Sequence, residues 1–191
     1  AIIVIDDQIE IVKNDASLLY LIITQKYKSM NSGASKTSYY KSDLLSFTGE
    51  LNFYTDPVTG NTMDEWKKLS SLKTQNGRSI FKYLPNITSV ILDNTSVVSR
   101  NSGITFTGDT DYQLVFDKML NLQTLSVQNC TALTEPIDLT LNVNLKKLDM
   151  SGTTITANLP ANSPINVLEY GSPESIVLNT PTAISPTNIA I

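Results

Sequence analysis

The chain has 191 residues and a mass of 21.0 kDa, enough for one domain or one domain with a small appendage. It carries no His and one Cys, which removes Ser-His-Asp and Cys-His catalysis, zinc sites, haem attachment and an intrachain disulfide. The charged fraction is 17%, the net charge −4 and the pI about 4.8, a balance that argues against nucleic-acid binding, since phosphate neutralisation needs clustered Lys and Arg.

A hydrophobic fraction of 41% and a mean hydropathy of −0.05 allow a real core. Much of the polar surface must then come from neutral residues, of which there are 20 Ser, 22 Thr and 17 Asn. The longest apolar run, Leu18 to Ile23, is far below the ~20 residues of a spanning helix, so no membrane insertion is expected. The start at Ala1, without Met and in mid-pattern, reads as a processed chain or a piece of a larger one.

In chain order, residues 1–13 alternate weakly around Asp6 and Asp7 and suit a strand or a lead-in. Asn14 or Asp15 can cap a helix running to about Lys28, with Leu18, Leu19, Ile22 and Ile23 as its buried stripe. Met30 to Ser38 is a small-polar loop, Phe47 to Tyr54 a short strand and Asp56 to Asn61 a turn. Thr62 and Glu65 are spaced for a capping box, and Met63, Trp66 and Leu69 then share one helical face. Trp66, the one Trp, is read as a core anchor in preference to a binding residue.

Beyond residue 80 the chain repeats. FKYLPNITSVILDNTSV from Phe81 aligns without a gap with FDKMLNLQTLSVQNCTAL from Phe116. Asn144 to Met150 and Pro164 to Tyr170 continue the series, and Ile189 and Ile191 fall where a fifth copy would begin. The paired apolar positions Val90/Leu92, Leu125/Val127, Leu148/Met150, Leu168/Tyr170 and Ile189/Ile191 step by 35, 23, 20 and 21 residues. A second series, Ile137/Leu139, Ala157/Leu159 and Ile176/Leu178, steps by 20 and 19. Two such series out of phase describe a coil with two inward-facing runs per turn, whose stacked turns share one core.

Leu122-x-x-Leu125-x-Val127-x-x-Cys130-x-x-Leu133 and Leu145-x-x-Leu148-x-Met150-x-x-Thr153-x-Ile155 resemble the leucine-rich repeat. The looser form, with turns rich in Ser, Thr and Asn, resembles the BspA-like class of bacterial surface proteins. It is also similar to leucine-rich segments of bacteriophage tail or baseplate proteins, to which Leu145 through Ile155 with Leu159-Pro160 comes nearest. The resemblance implies an α/β fold: a right-handed leucine-rich-repeat solenoid with short parallel strands over 81–191, preceded by a small helix-and-strand lead-in and capping module over 1–80. Three features depart from the pattern. Ser99 to Tyr112 is an insertion or wider turn, Pro173 stands where Asn, Cys or Thr is usual, and the array reaches Ile191 without a polar cap. From the last we expect more chain or a covering partner.

Few residues suggest chemistry. Cys130 falls at the repeat's small buried polar position, as do Thr95 and Thr153, and reads as a structural thiol. Asp109-Thr110-Asp111 invites calcium but lacks the rest of an EF-hand loop, while Thr110 and Gln113 are spaced to cap a helix through Phe116 to Met119. Asn86, Asn94 and Asn129 match the glycan-acceptor pattern and are read as structural, and Asp6-Asp7 as an exposed pair. With no spaced carboxylate pair and no Gly-rich phosphate cradle, we expect no enzyme, no catalytic residue, no metal and no cofactor.

A surface is the better candidate. In such a coil the strand residues between the inward ones face outward: Ser89, Ile91 and Asp93; Thr124, Ser126 and Gln128; Lys147, Asp149 and Ser151; Val167, Glu169 and Gly171. Stacking would align Ile91, Ser126, Asp149 and Glu169, setting two like charges on adjacent strands, which a basic partner patch would relieve. The expected role is a non-enzymatic structural or protein-interaction module of a larger assembly, a phage tail or virion component. Its partners would be other protein subunits or a host-surface receptor. The alternatives are a bacterial cell-surface adhesin domain binding host protein or glycan, and an accessory domain of a surface hydrolase.

Overall fold

A computed structural model describes residues 11–12, 18–74, 77–100, 112–161, 163, 165, 167–170, 176–178 and 189–190. The expectations for Asp6-Asp7, the Asn14 or Asp15 cap, Asp109 to Asp111, Gly171 and Pro173 lie outside these residues, as does Ile191.

The first helix, α1 (Leu18–Met30), buries Leu19, Ile22, Ile23 and Lys26, the i, i+3, i+4, i+7 stripe of an amphipathic helix. It stops where Ser32 and Gly33 take positive φ (54° and 84°) and the Gly33 N–H donates to the Lys28 carbonyl at 2.9 Å. Strand β1 (Ile11–Val12) pairs antiparallel with β2 (Ser38–Tyr39). Tyr39 is buried against the rings of Tyr20 and Tyr27, at centroid distances of 5.8 and 5.3 Å. A five-residue helix, α2 (Lys41–Leu45), follows and leads into β3 (Gly49–Asn52), shorter than the expected Phe47–Tyr54 strand.

The Asp56–Asn61 turn closes with the Gly60 N–H donating to the Asp56 carbonyl at 2.8 Å. The expected capping box does not form. Thr62 instead bridges Thr55 in an antiparallel pair, and the next element is a short 3₁₀ helix, Asp64–Lys68, whose N-cap Met63 makes no side-chain cap bond. The 3₁₀ geometry still buries the anticipated face, since side chains three apart eclipse: Trp66 is fully buried, Leu69 nearly so and Met63 packs against them. A second 3₁₀ helix covers Ile80–Tyr83.

The remaining strands are β4 (Ile87–Ile91), β5 (Thr124–Ser126), β6 (Ile137–Asp138), β7 (Lys147–Met150), β8 (Ala157–Leu159), β9 (Val167–Tyr170), β10 (Ile176–Leu178) and β11 (Ile189–Ala190). They form two parallel sheets, one of six strands in the order β11-β9-β7-β5-β4-β3 and one of three in the order β10-β8-β6. The architecture is mixed α/β with parallel sheets and few helices. Both strand orders are open, so the described strands close no barrel.

Register matches the apolar spacing. Val90 faces Leu125, Leu125 faces Leu148, Leu148 faces Leu168 and Leu168 faces Ile189; in the small sheet Ile137, Ala157 and Ile176 align. The large sheet runs across residue 80. Leu51 of β3 faces Val90, and the Phe53 N–H donates to Ile91 O at 2.8 Å as the Leu92 N–H does to Ser126 O. Phe81 and Phe116, equivalent in the two aligned copies, stack at 4.9 Å, and Phe53 meets Phe81 edge-on at 6.2 Å.

The exits of β4, β5 and β7 repeat one turn. The N–H groups of Thr95, Cys130 and Thr153 donate to Leu92, Val127 and Met150 carbonyls at 3.1 to 3.2 Å. The residue before each, Asn94, Asn129 or Gly152, has positive φ (62°, 58° and 75°), which Asn and Gly tolerate best. The entries of the same three strands repeat another: Ile87, Leu122 and Leu145 N–H groups donate to Leu84, Met119 and Asn142 carbonyls. The expected helix from Phe116 to Met119 is absent for this reason: that segment is a turn, with the Met119 N–H on Phe116 O at 3.0 Å. Gln113 does not cap it. Its fully buried side chain accepts from the Leu72 N–H at 2.5 Å and donates to Val98 O at 3.0 Å.

Candidate functional site

The outward face of the six-stranded sheet carries two cross-strand rows. One runs Glu50, Ser89, Thr124, Lys147, Val167; the other Asn52, Ile91, Ser126, Asp149, Glu169, Ala190. Beyond the strands, Asp93, Gln128 and Ser151 continue the face through the first residue of each exit turn.

The register aligns Ile91, Ser126, Asp149 and Glu169 as their spacing required, but two of them do not face solvent as expected. Ser126 and Asp149 are only 5% and 7% exposed. Their polar groups are consumed within the face. The Ser126 Oγ–H donates to Asp93 Oδ1 at 2.5 Å, and Asp149 Oδ1 accepts from the Ser151 N–H at 2.9 Å and the Ser151 Oγ–H at 2.5 Å. Asp149 is therefore a turn-binding carboxylate, and its charge is not presented outward. The Val167 and Glu169 side chains lie outside the described residues.

Asp93 bridges two rungs, accepting also from the Gln128 N–H at 3.0 Å. Burial pushes its carboxyl above the ordinary Asp range and the Asp149 charge adds to this, while bonds from Ser126 and Gln128 and the charge of Lys147 oppose it. Among the described side chains of this face, Lys147 and Glu50 are exposed, with half-buried Asn52, Ser89, Ile91, Thr124, Gln128 and Ser151 around them. The described part of this face can exchange hydrogen bonds and offers one exposed charge of each sign, Glu50 and Lys147.

Glu50 and Asn52 were not foreseen on this face. Their signal was present: Leu51 and Phe53 form an apolar pair like Val90 and Leu92, but Leu51 precedes Val90 by 39 residues, far outside the later period. Cys130 is fully buried, its Sγ–H donating to Leu92 O at 3.0 Å, and desolvation pushes the thiol up to about 11. The acceptor-pattern asparagines are structural in contact. Asn86 Nδ2 donates to Leu45 O at 2.9 Å, and the equivalent Asn121 and Asn144 donate to Pro85 O and Leu120 O at 2.9 and 2.8 Å. Asn129 Nδ2 donates to Asn94 Oδ1 at 3.2 Å.

Among the described residues no three His, Cys, Asp or Glu side chains converge as a metal site, and no helix is long and apolar enough to cross a membrane. No protein-family model matches the chain, and no curated protein matches it.

Proposed function

We propose that the chain winds as a right-handed leucine-rich-repeat coil and serves as a non-enzymatic structural or protein-interaction module of a larger assembly, a phage tail or other virion component. The observation that carries this reading is the parallel register Val90–Leu125–Leu148–Leu168. Repeated entry and exit turns support the coil. The half-buried Ser89, Thr124, Gln128 and Ser151 beside the exposed Glu50 and Lys147 support recognition of a protein surface through hydrogen bonds and paired charges. The virion assignment rests on the likeness of residues 145–160 to phage leucine-rich segments.

The test is to purify particles released by producing cells on a density gradient and quantify the chain by mass spectrometry. It should travel with the other particle proteins at a constant ratio. Recovery only from the cell envelope or the free-protein fractions overturns the virion reading. Thr124→Arg with Lys147→Glu should lower incorporation at unchanged melting temperature. Normal incorporation would remove the sheet face from the assembly contact.

A further inference from the structure

The fold gathers charge that the sequence scatters. Lys41 at the start of α2, Arg78 before the second 3₁₀ helix, Lys82 within it and Lys118 in the turn after Phe116 line one open cleft of about 480 Å³, with Leu45, Tyr83 and Pro85 as its other walls. Four of the chain's 14 Lys and Arg thus converge in a protein of net charge −4. Lys82 is held by Asp117, with Nζ 3.1 Å from the carboxylate. Lys41, Arg78 and Lys118 are exposed and make no ion pair among the described residues. The Tyr83 hydroxyl lies within the field of Arg78 and Lys82, which draw its pKa down against the larger upward effect of burial. None of the sheet-face residues lines this cleft, so it stands apart from the proposed interaction surface.

We propose that this cleft binds a discrete anionic saccharide, a sulfated or carboxylated mono- or disaccharide unit. Its charged groups would face Lys41, Arg78 and Lys118, and a C–H face would lie on Tyr83 and Pro85. The volume falls within the ~300–1,000 Å³ that enclose small organic ligands and far exceeds a lone sulfate or phosphate ion. Because Lys41, Arg78 and Lys118 line one concavity, a ligand with two or more negative groups can meet more than one of them at once. A nucleic acid would need a track of cations along its backbone; here they converge on one concavity.

The test is calorimetric titration of the whole chain with a disulfated disaccharide at low salt. Inorganic sulfate, the unsulfated disaccharide and a nucleoside diphosphate serve as parallel probes. Saturable binding of the disulfated disaccharide is expected, weakened by added salt and by about tenfold in Arg78→Gln/Lys118→Gln. Both substitutions lie at exposed positions, and an unchanged melting temperature confirms that the variant is folded. Three results would overturn the proposal: no binding, equal binding in the variant, or binding by inorganic sulfate or the nucleoside diphosphate as tight as by the disaccharide.

Discussion

Single residues show how closely the turns are specified. Gly152 has φ 75°, and a Cβ there would lie 2.0 Å from Asn129 Oδ1. Gly152→Ala should therefore cost about 1–3 kcal/mol in chemical denaturation, from left-handed strain plus displacement of the Asn129 side chain. Cys130, with its thiol raised to about 11 by burial, carries roughly one thiolate per thousand molecules at pH 8. A thiol reagent should leave the native protein unmodified and label it stoichiometrically once denatured. Asp93 titrates in the opposite sense to a salt-bridged carboxylate. Its folded value lies above the unfolded one, so its contribution to stability is complete at low pH and is lost as pH rises through the folded value. Asp93→Asn keeps acceptors for Ser126 and Gln128 and removes the charge facing Asp149. Its unfolding free energy at pH 7 should equal the parent's or exceed it by up to about 1 kcal/mol, with the decline across mildly acidic pH flattened.

At the scale of elements, the entry turns of β4, β5 and β7 share one backbone hydrogen bond and one Asn, and differ at the residue whose carbonyl accepts that bond. Where Leu84 and Met119 are buried apolar residues, the third copy has Asn142, fully buried, its Nδ2 donating to Phe116 O at 2.9 Å and Met119 O at 3.0 Å. Asn142→Ala should lower unfolding free energy by about 1–3 kcal/mol, measured by denaturant titration. Strands β4, β5, β7 and β9 were legible because each repeats an apolar pair at a readable spacing, and Trp66 because a lone large aromatic on an apolar face is most often core. The helix after Gln113 misled because Thr-x-x-Gln is also compatible with a loop. There the amide side chain does better by satisfying Leu72 and Val98 backbone groups in the interior. The outward exposure of Ser126 and Asp149 misled because alternation fixes which side of a sheet a residue leaves from, and not whether its neighbours close over it. The basic cleft left no sequence signal, since Lys41 and Lys118 are brought together only by tertiary packing.

For the whole molecule, the decisive feature is that β3, from the expected lead-in, is hydrogen-bonded into the same sheet as the repeats. It covers the β4 edge, and Leu51, Phe47 and Phe53 extend the core beneath it. A fragment comprising residues 81–191 loses that cover and should melt without a cooperative transition and self-associate, as read by circular dichroism and light scattering. The intact chain should melt in one step. The same geometry has a mechanical side. Bonds between neighbouring parallel strands point along the axis on which the strands pile up, so a pull on that axis strains the interfaces in series and the shortest pairing gives way first. Traction along the strands strains many bonds at once. The six-stranded sheet should thus part more readily under a pull across its strands than under one along them.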